Sequence, residues 1–336
     1  KGKKVAEYKG VLVLAEVAGG ILSPMATELL GCGRKLADDL QEDLYAVLLG
    51  DGITNLAQSA ISLGANRVYT IDDPVLKEYS NGLYAQAMES VVKQLMPRIL
   101  LLGQTATGRD LAPSLAFKLE TIATTDCIEL VIDSDSRQLL QTKPVYGGDA
   151  LATFTSEFYP QIATVRAKAY SPPEPDTSRQ GEVIAINAKL EPTAVKTLER
   201  ASQIAEGARL EDAAVVIAGG RGIGTADGFK QLEELASLLN GAVGASRPPC
   251  DNGWISGSAQ IGLTGKIIAP DLYLAIAISG SSQHTSGCAG AKNIVAINKD
   301  PEANIFRVAH FGIVGDWKKV LPAFTARIRE LVSGQS

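Results

Sequence analysis

Apolar residues in the first hundred positions fall into short unbroken runs: 10–17 (GVLVLAEV), 44–50 (LYAVLLG), 67–72 (RVYTID) and 98–103 (RILLLG). Runs of that length, rich in Leu, Ile and Val, read as strands covered on both faces. Between them, 26–40 (ATELLGCGRKLADDL) and 82–96 (GLYAQAMESVVKQLM) have helical spacing. Strand alternating with helix predicts a mostly parallel sheet with helices on both sides. Beyond residue 120 the runs at 127–133, 138–148, 150–156 and 161–169 have hairpin-like spacing. They are expected to add strands at an edge of the same sheet.

A proline-rich polar stretch, 171–182 (SPPEPDTSRQGE), and a charged helix-like segment, 196–213, separate two halves. The expected domains are 1–190 and 191–336, both α/β. The second half opens on 213–224 (AAVVIAGGRGIG), an apolar run ending in glycines, with helical periodicity at 229–240. The runs 241–254, 259–270, 272–284 and 292–306 each read as a strand followed by a polar loop, and 317–331 as a closing amphipathic helix. In open α/β sheets ligands sit just beyond the carboxyl ends of the strands. The glycine-rich loops are therefore the expected site.

Composition narrows the function. A net charge of −5 and a pI near 5.3 argue against a nucleic-acid surface. No apolar stretch approaches the roughly 18–20 residues that span a bilayer, and the start, KGKKVAEYKG, lacks a secretory signal core. It also lacks an initiator Met, so a cut or processed form of something longer is expected. Cys32, Cys127, Cys250 and Cys288 share no C-x-x-C spacing, and with two histidines in the chain neither a metal site nor a disulfide framework is expected. A reducing compartment fits.

The loops carry the chemistry. Strand, then Gly219-Gly220-Arg221-Gly222-Ile223-Gly224, then helix can present backbone N–H groups to a phosphate, or can be a plain turn. Thr225 and Asp227 stand three residues past Gly222 and Gly224, so the G-x-G-x-x-G fingerprint is absent. Arg221 adds a cation suited to pyrophosphate. Ser246 and Arg247 precede Pro248 and Pro249, which stiffen the loop. A guanidinium held there can stack on a planar ring, the alternative being a surface arginine in a turn. Thr264 sits between Gly262 and Gly265, and 278–284 (ISGSSQH) offers Ser279, Ser281, Ser282, Gln283 and His284. Asn298 and Asp316 follow strand ends and could read a base or ribose, while His310 reads as structural. No Ser–His–acid, paired-carboxylate or HExxH pattern appears. This inventory binds and tunes a cofactor.

Taken together, GGRGIG, GAVGASRPPCDNGW, QIGLTGK, LYLAIAISGSSQH, IVAINKDPEANIF and GIVGDW resemble, in order and spacing, the alpha subunit of electron transfer flavoprotein. The likeness runs from about residue 10, through LLGCGRKLADDL, GRDLAPSLAFKL and GGDALATF, to the end. It implies an N-terminal α/β domain contacting a partner subunit and a C-terminal flavodoxin-like, DHS-like domain that binds FAD in a cleft against a beta subunit. Carried over by position, Arg221, Ser246, Ile261, Gly262, Leu263 and Thr264 would contact FAD. So would Ser279, Gly280, Ser281, Ser282, Gln283, His284, Asn298, Asp316 and Trp317. Arg247 would lie over the isoalloxazine, Thr264 would bond near N5, His284 would reach the pyrimidine carbonyl side, and Asn298 and Asp316 would hold the adenosine. The resemblance implies an electron carrier rather than a stand-alone enzyme. Its donor would be an acyl-CoA dehydrogenase or similar flavoprotein, and its acceptor a quinone oxidoreductase or ferredoxin. The location implied is bacterial cytoplasm, or the mitochondrial matrix of a eukaryote.

Two departures stand out: Leu263 occupies a position where the family usually has Gln, and Pro248-Pro249-Cys250 one where small residues are common. Some relatives carry an iron–sulfur domain that would lie upstream of Lys1. A bifurcating relative would use NADH and place a second FAD in the beta subunit. A reading of another class is an adenine-nucleotide-binding α/β protein.

Overall fold

The computed structural model describes residues 8–148, 150–193, 195 and 209–334. The chain divides into two compact units, Lys1–Pro144 with Leu151–Ala201 and Val145–Ala150 with Ser202–Ser336.

In the first unit seven strands, all parallel, run in the order Glu182–Ala185, Arg67–Asp72, Leu44–Gly50, Val11–Leu14, Ile99–Gly103, Gln161–Val165, Ala123–Cys127. The unbroken apolar runs follow from this arrangement. Val11 and Val13 point into one apolar layer, with Leu29, Leu36 and Leu40 of the helix Pro24–Leu40. Leu12 and Leu14 point into the other, with Met88 and Val91 of Asn81–Leu95 and Leu111 of Ala106–Lys118. Successive side chains alternate between two buried faces, so neither face can be polar.

The expectation for the runs beyond residue 120 needs correction. Glu129–Ile132, Leu139–Val145 and Ala150–Phe154 form a separate three-stranded sheet. Leu130 is buried while Val131 beside it is exposed, the alternation of a sheet wet on one face. Gln161–Val165 is buried throughout and lies inside the main sheet, between Ile99–Gly103 and Ala123–Cys127. The edge strand Glu182–Ala185, at the end of the proline-rich stretch, was not expected; EVIA is short and largely exposed, and its three apolar residues do not stand out beside the polar stretch.

The second unit holds five parallel strands in the order Ala242–Ala245, Val215–Gly219, Leu272–Ile276, Asn293–Asn298, Phe311–Val314. Helices Ala226–Leu238 and Trp317–Val332 pack on one face through Phe229, Leu232, Leu235 and Leu321, while Tyr273, Cys288, Ile294 and Ile305 fill the other. The chain steps from Val215–Gly219 to one neighbour and then returns to the other side. That makes the ends of Val215–Gly219 and Leu272–Ile276 the switch point of the sheet.

The run 259–270 is not a strand. It folds into a loop tied by single bridges, Ala245 to Gln260 and Ile261 to Lys266. Gly262, at φ +146°, bends the chain where a strand would continue. The helix-like reading of 196–213 falls mostly outside the described residues, and its described end, 209–213, is a turn closed by Ala213 N–H donating to the Arg209 carbonyl. No helix among the described residues is long and apolar enough to cross a membrane.

Candidate functional site

At the switch point Gly220 passes against the strand end opposite. Its N–H donates to the Ile276 carbonyl at 2.9 Å, and a Cβ on it would lie 2.0 Å from the Ala277 oxygen. Ala277 is in the left-handed region, φ +54°, a conformation L-residues other than Asn and Asp seldom adopt. Both chains turn sharply away from the sheet here, and a cleft of about 880 Å³ opens beyond them.

Five loops wall the cleft, and they bring together most of the residues singled out by sequence. From the first come Arg221 and Gly222, in the single turn Arg221–Ile223. The Arg221 side chain is exposed and makes no hydrogen bond or ion pair among the described residues.

The second supplies Ser246 and Arg247 at the start of the short helix Arg247–Asp251, with Pro248 and Pro249 in its first turn. Proline suits that position because its missing N–H has no partner there anyway. Ser246 is 8% exposed, its N–H donates to the Gly219 carbonyl at 3.1 Å, and its hydroxyl does not cap the helix it precedes. Arg247 Nε donates to the Asp251 carboxylate at 3.1 Å. Two prolines and a carboxylate thus limit where its guanidinium can go.

The third loop holds Ile261, Gly262, Leu263 and Thr264. Gln260 Nε2 donates to Thr264 Oγ1 at 2.9 Å, leaving the threonine proton free to donate elsewhere. The Leu263 N–H donates to the Gln283 carbonyl at 2.7 Å, and its side chain stands 51% exposed, an apolar surface in a polar cleft.

Ser279, Ser281, Gln283 and His284 line the fourth wall. Gly280 and Ser282 are not on the cleft surface. Gly280, at φ +80°, lets the chain pass Ile305, whose N–H lies 2.1 Å from where its Cβ would be. His284 is on the helix Ser282–Cys288 rather than in a loop, and is 5% exposed. Both its ring nitrogens have protein partners: Nδ1 lies 3.0 Å from the Ile261 carbonyl and Nε2 2.7 Å from the Tyr273 hydroxyl. Burial pulls its pKa down to about 4. A ring contact to the pyrimidine side of a flavin would need one of those bonds to be exchanged.

Asn298 also lines the cleft, with its amide in use at both ends. Nδ2 donates to the Ile278 carbonyl at 2.8 Å and Oδ1 accepts from the Asp300 N–H at 3.1 Å. Asp316 and Trp317 lie apart from the main cleft, around a smaller cavity of about 190 Å³ that shares Gly222 and Asn298. Asp316 caps Trp317–Val332 by accepting from the Lys318 N–H at 3.0 Å, and Trp317 Nε1 donates to the Gly222 carbonyl at 3.0 Å. The final helix is thereby tied to the glycine turn. Asp316→Ala is expected to cost about 1 kcal/mol of stability, measurable as a lower urea midpoint.

His310 is structural: its Nδ1 accepts from the Ile294 N–H at 2.9 Å. Sequence reading missed Ala277 and the stretch Lys299–Asn304 on the cleft wall, and Tyr273 behind it. Ala277 lies inside the apolar run 272–278, and an apolar run gives no sign of where it bends.

Comparison with known proteins identifies the family. Residues 11–191 match the family described as Electron transfer flavoprotein domain, and residues 209–289 the Electron transfer flavoprotein FAD-binding domain. The electron transfer flavoprotein subunit alpha of Thermoanaerobacterium thermosaccharolyticum is 42% identical over 97% of this chain and 99% of its own length. That of Megasphaera elsdenii is 42% identical over 97% and 98%, and protein FixB of Azorhizobium caulinodans 41% identical over 98% and 91%. With both halves matched in order, and relatives aligned nearly end to end, the chain belongs to the electron transfer flavoprotein alpha-subunit family, and its second unit is a FAD-binding domain.

Proposed function

We propose that this chain pairs with an electron transfer flavoprotein beta subunit and carries electrons on FAD. The donors are flavoprotein dehydrogenases, acyl-CoA dehydrogenases foremost, and the acceptor a quinone oxidoreductase or ferredoxin. The observation that carries the reading is the gathering of two guanidiniums, Arg221 and Arg247, and the Ser246 hydroxyl in one cleft at the switch point. The residues fit the cofactor. Arg221, unpaired among the described residues, suits a pyrophosphate. Arg247, restrained by Pro248, Pro249 and Asp251, suits the face of a flavin ring. Thr264 has a proton to offer near N5. Asn298, Asp316 and Trp317 serve the adenosine side by fixing the loops around the smaller cavity. When bound, FAD supplies the one- and two-electron chemistry. The protein contributes position and charge: cations beside the pyrimidine edge favour an anionic ring and raise the potential at which the first electron enters.

Replacing Arg247 with Ala is therefore expected to lower the first-electron potential by about 60 mV, equivalent to about 1.4 kcal/mol for one electron. Spectroelectrochemical titration reads it directly, and an unmoved potential would remove Arg247 from the ring. The reading as a whole is tested by flavin content. Co-purified with its beta subunit, the chain is expected to hold one FAD per heterodimer. Two would indicate the bifurcating form with NADH as donor, and none would overturn the proposal in favour of an adenine-nucleotide-binding protein.

A further inference from the structure

A buried chain of polar groups lies directly behind the cleft wall. Tyr273, on the strand Leu272–Ile276, is fully buried, and its hydroxyl lies 2.7 Å from His284 Nε2. A carbonyl oxygen can only accept, so the contact between His284 Nδ1 and the Ile261 carbonyl places a proton on Nδ1. In a neutral imidazole Nε2 then accepts, and the tyrosine O–H is its donor. The relay runs in one direction, from Tyr273 O–H to Nε2 and from Nδ1–H to the Ile261 carbonyl. Its far end holds the main chain at the start of Ile261–Thr264, the run that walls the cleft.

The geometry points to Tyr273 as a positioning residue that keeps the second proton off His284, so that the histidine braces the cofactor cleft as a neutral group and adds nothing to the positive charge of Arg221, Arg247 and Lys299. A donor already directed at Nε2 must be turned away before that nitrogen can be protonated, and the other acceptor within its reach, the Cys288 sulfur, is a weak one. The surroundings offer an imidazolium no help. From its own helix the titratable neighbour is Cys288, whose thiol burial pushes up to about 12, and which also lies within hydrogen-bond reach of Tyr273. From the sheet it is Tyr273, held well above its ordinary range, and from the 260–266 loop the Ile261 carbonyl meets the ring. No charged side chain among the described residues acts on its titration. A histidine that changed charge beside a flavin would make the first-electron potential vary with pH, and this relay prevents it. The inference about the brace rests on the chain's own contacts; its consequence for the potential rests on the FAD reading above.

The test uses the chain with its beta subunit, labelled with ¹⁵N-histidine. There are two histidines in the sequence, and they report separately. His310 Nδ1 accepts a hydrogen bond, so a neutral His310 carries its proton on Nε2, opposite to His284. At pH 7 His284 is expected to show a protonated Nδ1 and a bare Nε2, unchanged down to pH 5. In Tyr273→Phe the ring should take its second proton at least tenfold more readily. With FAD bound, the first-electron potential of that variant should gain a pH dependence that follows the same titration. A protonated Nε2 or an imidazolium in the wild type at pH 7 would overturn the proposal even if the variant failed to fold. So would a Tyr273→Phe ring titrating as the wild type does. A protein that binds no flavin yet shows the Nδ1–H pattern would sink the proposed function and leave the brace standing.

Discussion

Replacing Gly220 with alanine is expected to dismantle the cleft. The backbone at Gly220, φ −95°, is open to any residue, so the demand for glycine comes from space alone. A Cβ there would lie 2.0 Å from the Ala277 oxygen and 2.6 Å from its carbonyl carbon, both main-chain atoms at the end of a buried strand. Neither can move without breaking the bond from the Gly220 N–H to Ile276 or disturbing the strained Ala277. Overpacking that flexible side chains can relieve costs about 1–3 kcal/mol, and here the cost should reach or exceed the top of that range. The matched control is Gly224→Ala. That residue has φ +90° with nothing within 4 Å of its Cβ position, so only the backbone angle objects, at about 1–2 kcal/mol. Urea unfolding and FAD retention should rank Gly220→Ala well below Gly224→Ala. Equal losses would mean that the contact with Ala277 does not constrain the turn.

The second large effect is on acid stability. In the unfolded chain the imidazole of His284 takes a proton below its ordinary value of 6.5, and in the folded protein only near 4. Above pH 6.5 the group is neutral in both states and its contribution is complete. As pH falls from 6.5 to 4 the unfolded chain binds the proton first, so stability declines by about 3 kcal/mol and levels off below. In the first unit Glu16 and Glu28, both raised by burial, titrate in the opposite sense, so the comparison must be made against a variant. Subtracting the urea-unfolding free energies of His284→Asn from those of the wild type at each pH isolates the slope. A flat difference between pH 6.5 and 4 would show that the imidazole is not held neutral.

Much of this was legible in the sequence because parallel strands buried on both faces leave a continuous apolar run. Val11–Leu14, Leu44–Gly50 and Leu272–Ile276 could hardly be anything else. The same signal failed where burial was partial. Glu182–Ala185 is exposed at the sheet edge and is not expected from the sequence, while the runs holding Glu129–Ile132 and Leu139–Val145 read as strands but, wet on one face, carry no sign of the separate sheet they form. Among the cleft residues the polar loops announced themselves by glycine and hydroxyl content. Tyr273 did not, because inside LYLAIAI a tyrosine looks like another core residue; that its hydroxyl meets His284 depends on packing between a strand and a helix nine residues further on. Asp316 and Asn298 were singled out correctly as strand-end residues, but their polar atoms hold the scaffold in this structure, a distinction that spacing cannot make.

The absence of hairpins from both parallel sheets also bears on how the protein comes to exist. Val11 pairs with Ile99, Val216 with Ala242 and Val215 with Leu272, so each contact in these sheets waits on closure of a long intervening segment. Such high contact order places folding in the millisecond-to-second range or slower. Arg221, Ser246, Ser279 and Asn298 lie at the ends of four different strands, and no stretch emerging alone during synthesis can present them together. Cofactor capacity should therefore appear in one step, late, when the whole five-stranded sheet has closed.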